Sequence, residues 1–151
     1  MLGRAIALVL LAAGCKIVHV ETPLAARLEL APGCQDPGDG GTWVGATLTV
    51  TNQTGSTTHI PADLQCWVER EVTDAAGHVV DDFAAPITCA TDPEAFHTEL
   101  APRGQTSGNL LIWDARFTDS QLAPAGTYTI EVDLDDGTRG NPLAVSLPGC
   151  N

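Results

Sequence analysis

Trp43-Val-Gly-Ala-Thr-Leu-Thr-Val-Thr-Asn52 is the stretch that decides the fold. Val44, Ala46, Leu48 and Val50 fall on one side, and Thr47, Thr49 and Thr51 on the other. A period of two with β-branched threonines on the wet side describes a half-buried strand. The same period returns at Tyr128–Leu134, where Tyr128, Ile130, Val132 and Leu134 alternate with Thr129, Glu131 and Asp133. Gln65–Thr73 places Cys66, Val68 and Val72 on one face, interrupted by Arg70, with Trp67, Glu69 and Glu71 on the other. Asp74–Gly77 is a turn, and His78–Phe83 returns as the second strand of a hairpin. Ser107–Asp114 sets Leu110 and Ile112 against Leu111 and Trp113. Leu24–Leu30 and Pro142–Leu147 are the first and last expected strands, and a short strand is expected near Phe96–Leu100. Ala31–Thr42, rich in Pro, Gly and Asp, is predicted to be a loop, and Asp114–Gln121 has room for one or two helical turns. Short strands with turns every 8–12 residues or so predict an all-β fold, an antiparallel β-sandwich of about seven to nine strands.

Leu122-x-Pro124-x-Gly126-x-Tyr128 resembles the tyrosine corner of immunoglobulin-like sandwiches, in which the phenol bonds back to upstream backbone. Ala46–Leu134 as a whole resembles the BsuPI-type domain, named after an intracellular proteinase inhibitor of Bacillus. The shared signs are the Leu48-Thr-Val-Thr-Asn52 strand, the Cys66–Val79 hairpin and the Leu100-Ala-Pro-Arg-Gly104 turn. Ile112-Trp113-Asp114 and Pro124-Ala-Gly-Thr-Tyr128 complete them. The resemblance implies an immunoglobulin-like sandwich. It also implies an alternative function, inhibition of a serine protease through a loop such as Ala31–Thr42 or Pro86–Leu100. The chain departs from that family by its cysteines and its N-terminus.

Residues 1–14 carry one charge at Arg4, an apolar run over Ala5–Ala13 and then small residues. That is the layout of an export signal, and nine apolar residues fall well short of the roughly 20 that cross a bilayer. Leu11-Ala-Ala-Gly-Cys15 resembles the lipobox of bacterial lipoproteins. The resemblance implies acylation of Cys15, a tether over residues 15–23 and a folded domain over 24–151 held at the bacterial cell envelope. Lys16, where an aspartate would retain the protein at the inner membrane, implies the outer membrane. A membrane partner through acylated Cys15 is therefore expected, since acyl chains anchor by burying methylenes.

Removing residues 1–14, which hold Arg4 and no acid, leaves 6 Lys+Arg against 19 Asp+Glu, a formal charge of −13. Such a surface repels phosphate, so no nucleic acid partner is expected. With Cys15 acylated, Cys34, Cys66, Cys89 and Cys150 remain, an even number in an exported chain, which reads as two disulfides. Three pairings are open. The expected one is Cys66–Cys89, closing a local loop, with Cys34–Cys150 joining the ends of the domain.

No G-x-S-x-G, S-x-x-K or H-E-x-x-H occurs, and the histidines at 19, 59, 78 and 97 are scattered. Asp133-Leu-Asp135-Asp136-Gly137 resembles half a calcium loop, but its twelfth position is Ala144 rather than Glu. Without a C-x-x-C pair, zinc is not indicated either. No catalysis, cofactor or metal is expected. If Cys66, Leu110 and Ile112 face the core, alternation turns Trp67 and Trp113 outward, and Trp43 opens its strand beside the loop. These three tryptophans are the expected binding surface for a protein or glycan partner. The expected whole is a lipid-anchored, non-catalytic binding module.

Overall fold

Alternation becomes register in the computed structural model, which describes residues 23–35, 42–83 and 97–150. Among the described residues nine strands follow in order: β1 (Leu24–Gln35), β2 (Trp43–Asn52), β3 (Thr58–Pro61), β4 (Val68–Asp74), β5 (Val79–Phe83), β6 (His97–Leu100), β7 (Gln105–Trp113), β8 (Gly126–Leu134) and β9 (Leu143–Leu147). A 3-10 turn, Leu64–Trp67, precedes β4. All pairings are antiparallel. One sheet has the order β1-β2-β7, the facing sheet β5-β4-β8-β9, and β3-β6 forms a separate ribbon. The chain is an immunoglobulin-like β-sandwich.

The core is the set of inward positions that the period of two selects. Val44, Leu48 and Val50 from β2 meet Val72, Ile130, Val132 and Val145 from the facing sheet, each 0–1% exposed. Each such aliphatic side chain contributes about 1.5–3 kcal/mol by leaving water. Tyr128 forms the expected corner: its hydroxyl donates to the Pro124 carbonyl at 2.9 Å. Trp113 packs edge-on against the same ring, with centroids 5.0 Å apart.

Four local readings are corrected. β1 does not stop at Leu30 but continues to Gln35 across a bulge between Leu30 and Cys34, where Gly33 takes a φ of +70° that side chains disfavour. Asp114–Gln121 is not helical. It is a hairpin closed by a bridge between Arg116 and Leu122, with Phe117 N–H donating to Gln121 C=O at 2.8 Å. Trp67 is buried because it lies in the 3-10 turn, where strand alternation does not apply. Trp113 is wholly buried because the β2–β7 register slips between Val44 and Gly45. The slip inserts Ile112 as an extra residue, so Ile112 and Trp113 both end inside.

Both edges of the three-stranded sheet are closed by side-chain amides. Leu28 N–H donates to Asn141 Oδ1 at 2.7 Å, and Asn141 Nδ2 donates to Leu28 C=O at 3.1 Å. On the far edge Leu111 N–H donates to Gln65 Oε1 at 2.9 Å, and Gln65 Nε2 donates to Leu111 C=O at 3.3 Å. Each amide stands in for a neighbouring strand and removes an open template for pairing. Gly140 lets the first of these clasps come close, since a Cβ there would collide with the Leu28 side chain.

Cys34 and Cys150 form the expected disulfide, with Cα atoms 4.9 Å apart and 116 residues between them. Closing so long a loop restricts the unfolded chain by an amount worth about 4–5 kcal/mol in the chain-entropy account. Cys66 is also disulfide-bonded. Cys89 and Cys15 lie outside the described residues.

Candidate functional site: an acidic sheet face

The tryptophan surface does not form. Trp113 is 0% and Trp67 is 7% exposed, which leaves only Trp43, half-buried at the start of β2. The indole N–H of Trp113 donates to the Arg116 carbonyl at 2.7 Å, so this ring supports the 114–122 hairpin from below. Both segments named for an inhibitory loop, 31–42 and 86–100, lie partly outside the described residues.

The four-stranded sheet instead brings carboxylates together. Among the described residues its inward side carries, beside the apolar core, Arg70 and Asp81, a nearly enclosed ion pair at 3.0 Å whose side chains are 12% and 10% exposed. Its outward residues follow by alternation. Glu71 of β4 lies directly opposite Asp82 of β5 on one side and Glu131 of β8 on the other. One register step away, Glu69 lies opposite Asp133. Five carboxylates thus occupy two rows across three strands. Like charges placed directly opposite oppose pairing, by about 0.2–1 kcal/mol per pair.

These residues, together with Arg70 and Arg139, line a depression of about 260 Å³. The Arg139 guanidinium stands 3.4 Å from Asp133 and is largely exposed, so it neutralises little. Arg70 is turned inward to Asp81.

The acids were visible in the sequence as outward residues of two strands. The β4–β5 hairpin accounts for Glu71 beside Asp82, but the adjacency to Glu131 and Asp133 was not visible, because it depends on β4 also pairing with β8, distant in sequence. Nearby, the Asp74 carboxyl is held below its usual value. The His78 backbone N–H is the main cause, joined by the His78 ring and the Ala76 N–H. Burial raises the Tyr128 phenol above its usual value, and the Asp74 charge adds to this.

No protein-family model matches the chain, and no curated protein sequence matches it. Solved structures similar to it include a β-glucosidase involved in saponin metabolism from intestinal bacteria, at 12% identity and a TM-score of 0.44, over 83% of this chain and 16% of that one. A β-D-glucoside glucohydrolase from Trichoderma reesei is similar at 14% identity and a TM-score of 0.41, over 83% of this chain and 18% of that one. A structural-genomics target is similar at 14% identity and a TM-score of 0.37, over 85% of this chain and 88% of that one. The chain spans less than a fifth of either glycosidase, and at these scores the likenesses carry no inference about activity.

Proposed function

We propose that the chain is a lipid-anchored envelope protein whose sandwich is a non-catalytic binding module, and that it engages a cationic protein segment through the acidic face of β4, β5 and β8. The observation that carries this reading is the in-register row Asp82–Glu71–Glu131. A sheet that accepts repulsion in the folded monomer recovers it when a positive partner lies across the rows. Anchoring is supported by the lipobox-like ending at Cys15. Among the described residues no helix is long and apolar enough to cross a membrane. The geometry also separates the two ends of the domain. Gln53 N–H donates to Pro23 C=O where β1 begins, and the disulfide lies where β1 ends. A tether entering at residue 23 would leave the hairpin at 114–122 at the membrane-distal end.

Two experiments test the halves separately. In a bacterial host the full chain is expected in the membrane fraction with acyl mass on Cys15, and Cys15→Ser is expected to release it. For binding, an oligolysine peptide is the probe, titrated against wild type, Glu71→Lys with Glu131→Lys, and a control pair of equal charge change, Glu29→Lys with Glu99→Lys. Loss confined to the first pair supports a localised site. Equal loss in both pairs would reduce the effect to net charge and sink the reading.

A further inference from the structure

We infer that the disulfide at Cys66 is a charge-selective site of thiol–disulfide exchange, at which cationic thiols react faster than anionic ones, with Asp63 as the positioned charge that sets the preference. The inference does not rest on the cationic-partner reading, although the two surfaces share Glu69 and Asp133. Cys66 belongs to the 3-10 turn Leu64–Trp67, whose other residues are committed elsewhere. Leu64 and Trp67 are buried, and Gln65 is bonded to the β7 edge. Cys66 is left half-buried, lining a depression of about 510 Å³ whose walls include Glu69, Asp133 and Asp135. Of these acids, Asp133 is paired with the largely exposed Arg139 at 3.4 Å.

The Asp63 carboxylate is held against the sulfur by its role in the turn. Its Oδ1 accepts the Gln65 N–H at 3.0 Å, and its Oδ2 stands 3.5 Å from Cys66 Sγ. A disulfide sulfur carries no proton, so the second contact is a negative charge fixed beside the bond rather than a hydrogen bond. The nucleophile in exchange is a thiolate, RS⁻. It attacks one sulfur, forms a new S–S bond and expels the other half-cystine as a thiolate with the electron pair. A second thiolate resolves the mixed disulfide, so two thiols are oxidised to one disulfide for each crosslink reduced. Attack at Cys66 brings RS⁻ toward Asp63 and the acids of the depression. Attack at the other sulfur expels the Cys66 thiolate 3.5 Å from Asp63. Like charge slows both routes, and a positive group on the reagent offsets it on the first. One unit charge about 4 Å from another is worth about a fivefold change in rate in bulk water. The Cys34–Cys150 bond is the internal reference, because the oxygen beside the exposed Cys34 Sγ is the neutral Pro148 carbonyl, at 2.9 Å.

The test is reduction of the full oxidised chain at low ionic strength by cysteamine, mercaptoethanol and mercaptopropionate, a cationic, a neutral and an anionic thiol. Rates are taken per thiolate, with alkylation and peptide mass reporting Cys66 and Cys34 separately. At Cys66 cysteamine is expected to outpace mercaptopropionate by at least about tenfold, and at Cys34 by about threefold or less. Salt should shrink the difference. Asp63→Asn keeps an acceptor for the Gln65 N–H, so the turn stays capped while the charge is lost. It is expected to narrow the Cys66 preference by about threefold to fivefold and to leave Cys34 unchanged, and Asp63→Glu is expected to restore most of it. Equal preference at both disulfides overturns the inference, since net charge alone would then account for it. An unchanged preference in Asp63→Asn overturns it as well. So does reduction at Cys66 that begins only as circular dichroism shows the fold being lost, because the bond would then be closed to thiols in the native protein.

Discussion

The two sheets of the sandwich present outer faces built on opposite principles. On the three-stranded sheet the outward side chains satisfy one another. Thr47 Oγ1 bonds Asn109 Oδ1 at 3.1 Å, Thr49 and Ser107 share a hydroxyl bond of 2.8 Å, and Arg27 meets Glu29 at 3.0 Å. On the four-stranded sheet Asp82, Glu71 and Glu131 are aligned in one row and Glu69 and Asp133 in the next. Both faces arise from the same period of two, and both cover the same core. What differs is whether the cross-strand neighbour completes a residue or opposes it. A face that is complete has no need of a partner, whereas a face of opposed charges is improved by one. That contrast is the reason for placing the proposed binding surface on the four-stranded sheet.

The contrast is broken most severely from beneath. Arg70→Ala is expected to destabilise the protein by about 3–5 kcal/mol, because it leaves Asp81 enclosed without its cation. Replacing both with apolar residues, Arg70→Met with Asp81→Leu, is expected to recover most of that loss. Urea denaturation of the two variants measures the difference. A single-variant loss under about 1 kcal/mol would mean that water reaches Asp81 and that the pair is not a structural support.

Next in size are the amide clasps of the other sheet. Gln65→Ala and Asn141→Ala are each expected to cost about 1–3 kcal/mol, since each strips two hydrogen bonds from an edge strand. They act on opposite edges and share no partner, so the double variant is expected to show the sum. Hydrogen exchange should report faster opening at Leu111 in the first and at Leu28 in the second. Uniform acceleration across both sheets would contradict a local role for the amides.

A smaller effect of opposite sign sharpens the comparison at the surface itself. Glu71→Gln is expected to stabilise the domain by about 0.2–1 kcal/mol, because it removes the central member of the longer row. Thr49→Gln on the other sheet is expected to be neutral or mildly destabilising, since it disrupts a completed hydroxyl pair. Thermal melts at low ionic strength distinguish them, and the Glu71 gain should shrink as salt screens the repulsion. If both variants behaved alike, the two faces would not differ in the way described.

The smallest effect is in pH. Backbone donation from His78 lowers the folded value of Asp74, so the carboxylate favours the folded state above the ordinary aspartate range. That contribution is lost as pH falls through the lowered folded value, not on the alkaline side. Asp74→Ala should therefore flatten the acid limb of stability against pH and leave the neutral region with a constant offset. An unchanged acid limb would show that the β4–β5 turn contributes nothing to acid sensitivity.

How much of this could be read without coordinates differs by element. β2 and β8 were legible because each is regular and buried on one face, so composition and period agree. Tyr128 was legible because a corner needs its Pro-Gly approach. The tryptophans were misread for two separate physical reasons, a bulge at Ile112 and a 3-10 turn at Trp67, and each breaks the parity on which alternation depends. The pairings of Glu71 with Glu131 and of Glu69 with Asp133 were invisible for a third reason. They depend on which strands become neighbours, and β4 and β8 are distant in sequence. Gln65 and Asn141 carry no local signal at all, because an amide becomes a clasp only once an edge strand lies beside it.

The Cys34–Cys150 bond has a mechanical consequence. Tension entering at residue 23 pulls along β1, whose nine paired positions against β2 lie in shear, so that many bonds share the force before any one yields. If the strand is nonetheless drawn out, only residues 24–33 are released before the crosslink takes the force, and because a strand already runs close to its full contour length the added extension is small. Beyond that point the force bypasses β1 and passes through Cys150 into the C-terminal end of the sandwich. A domain crosslinked in this way yields at β1 by a short, bounded step before the load reaches the facing sheet.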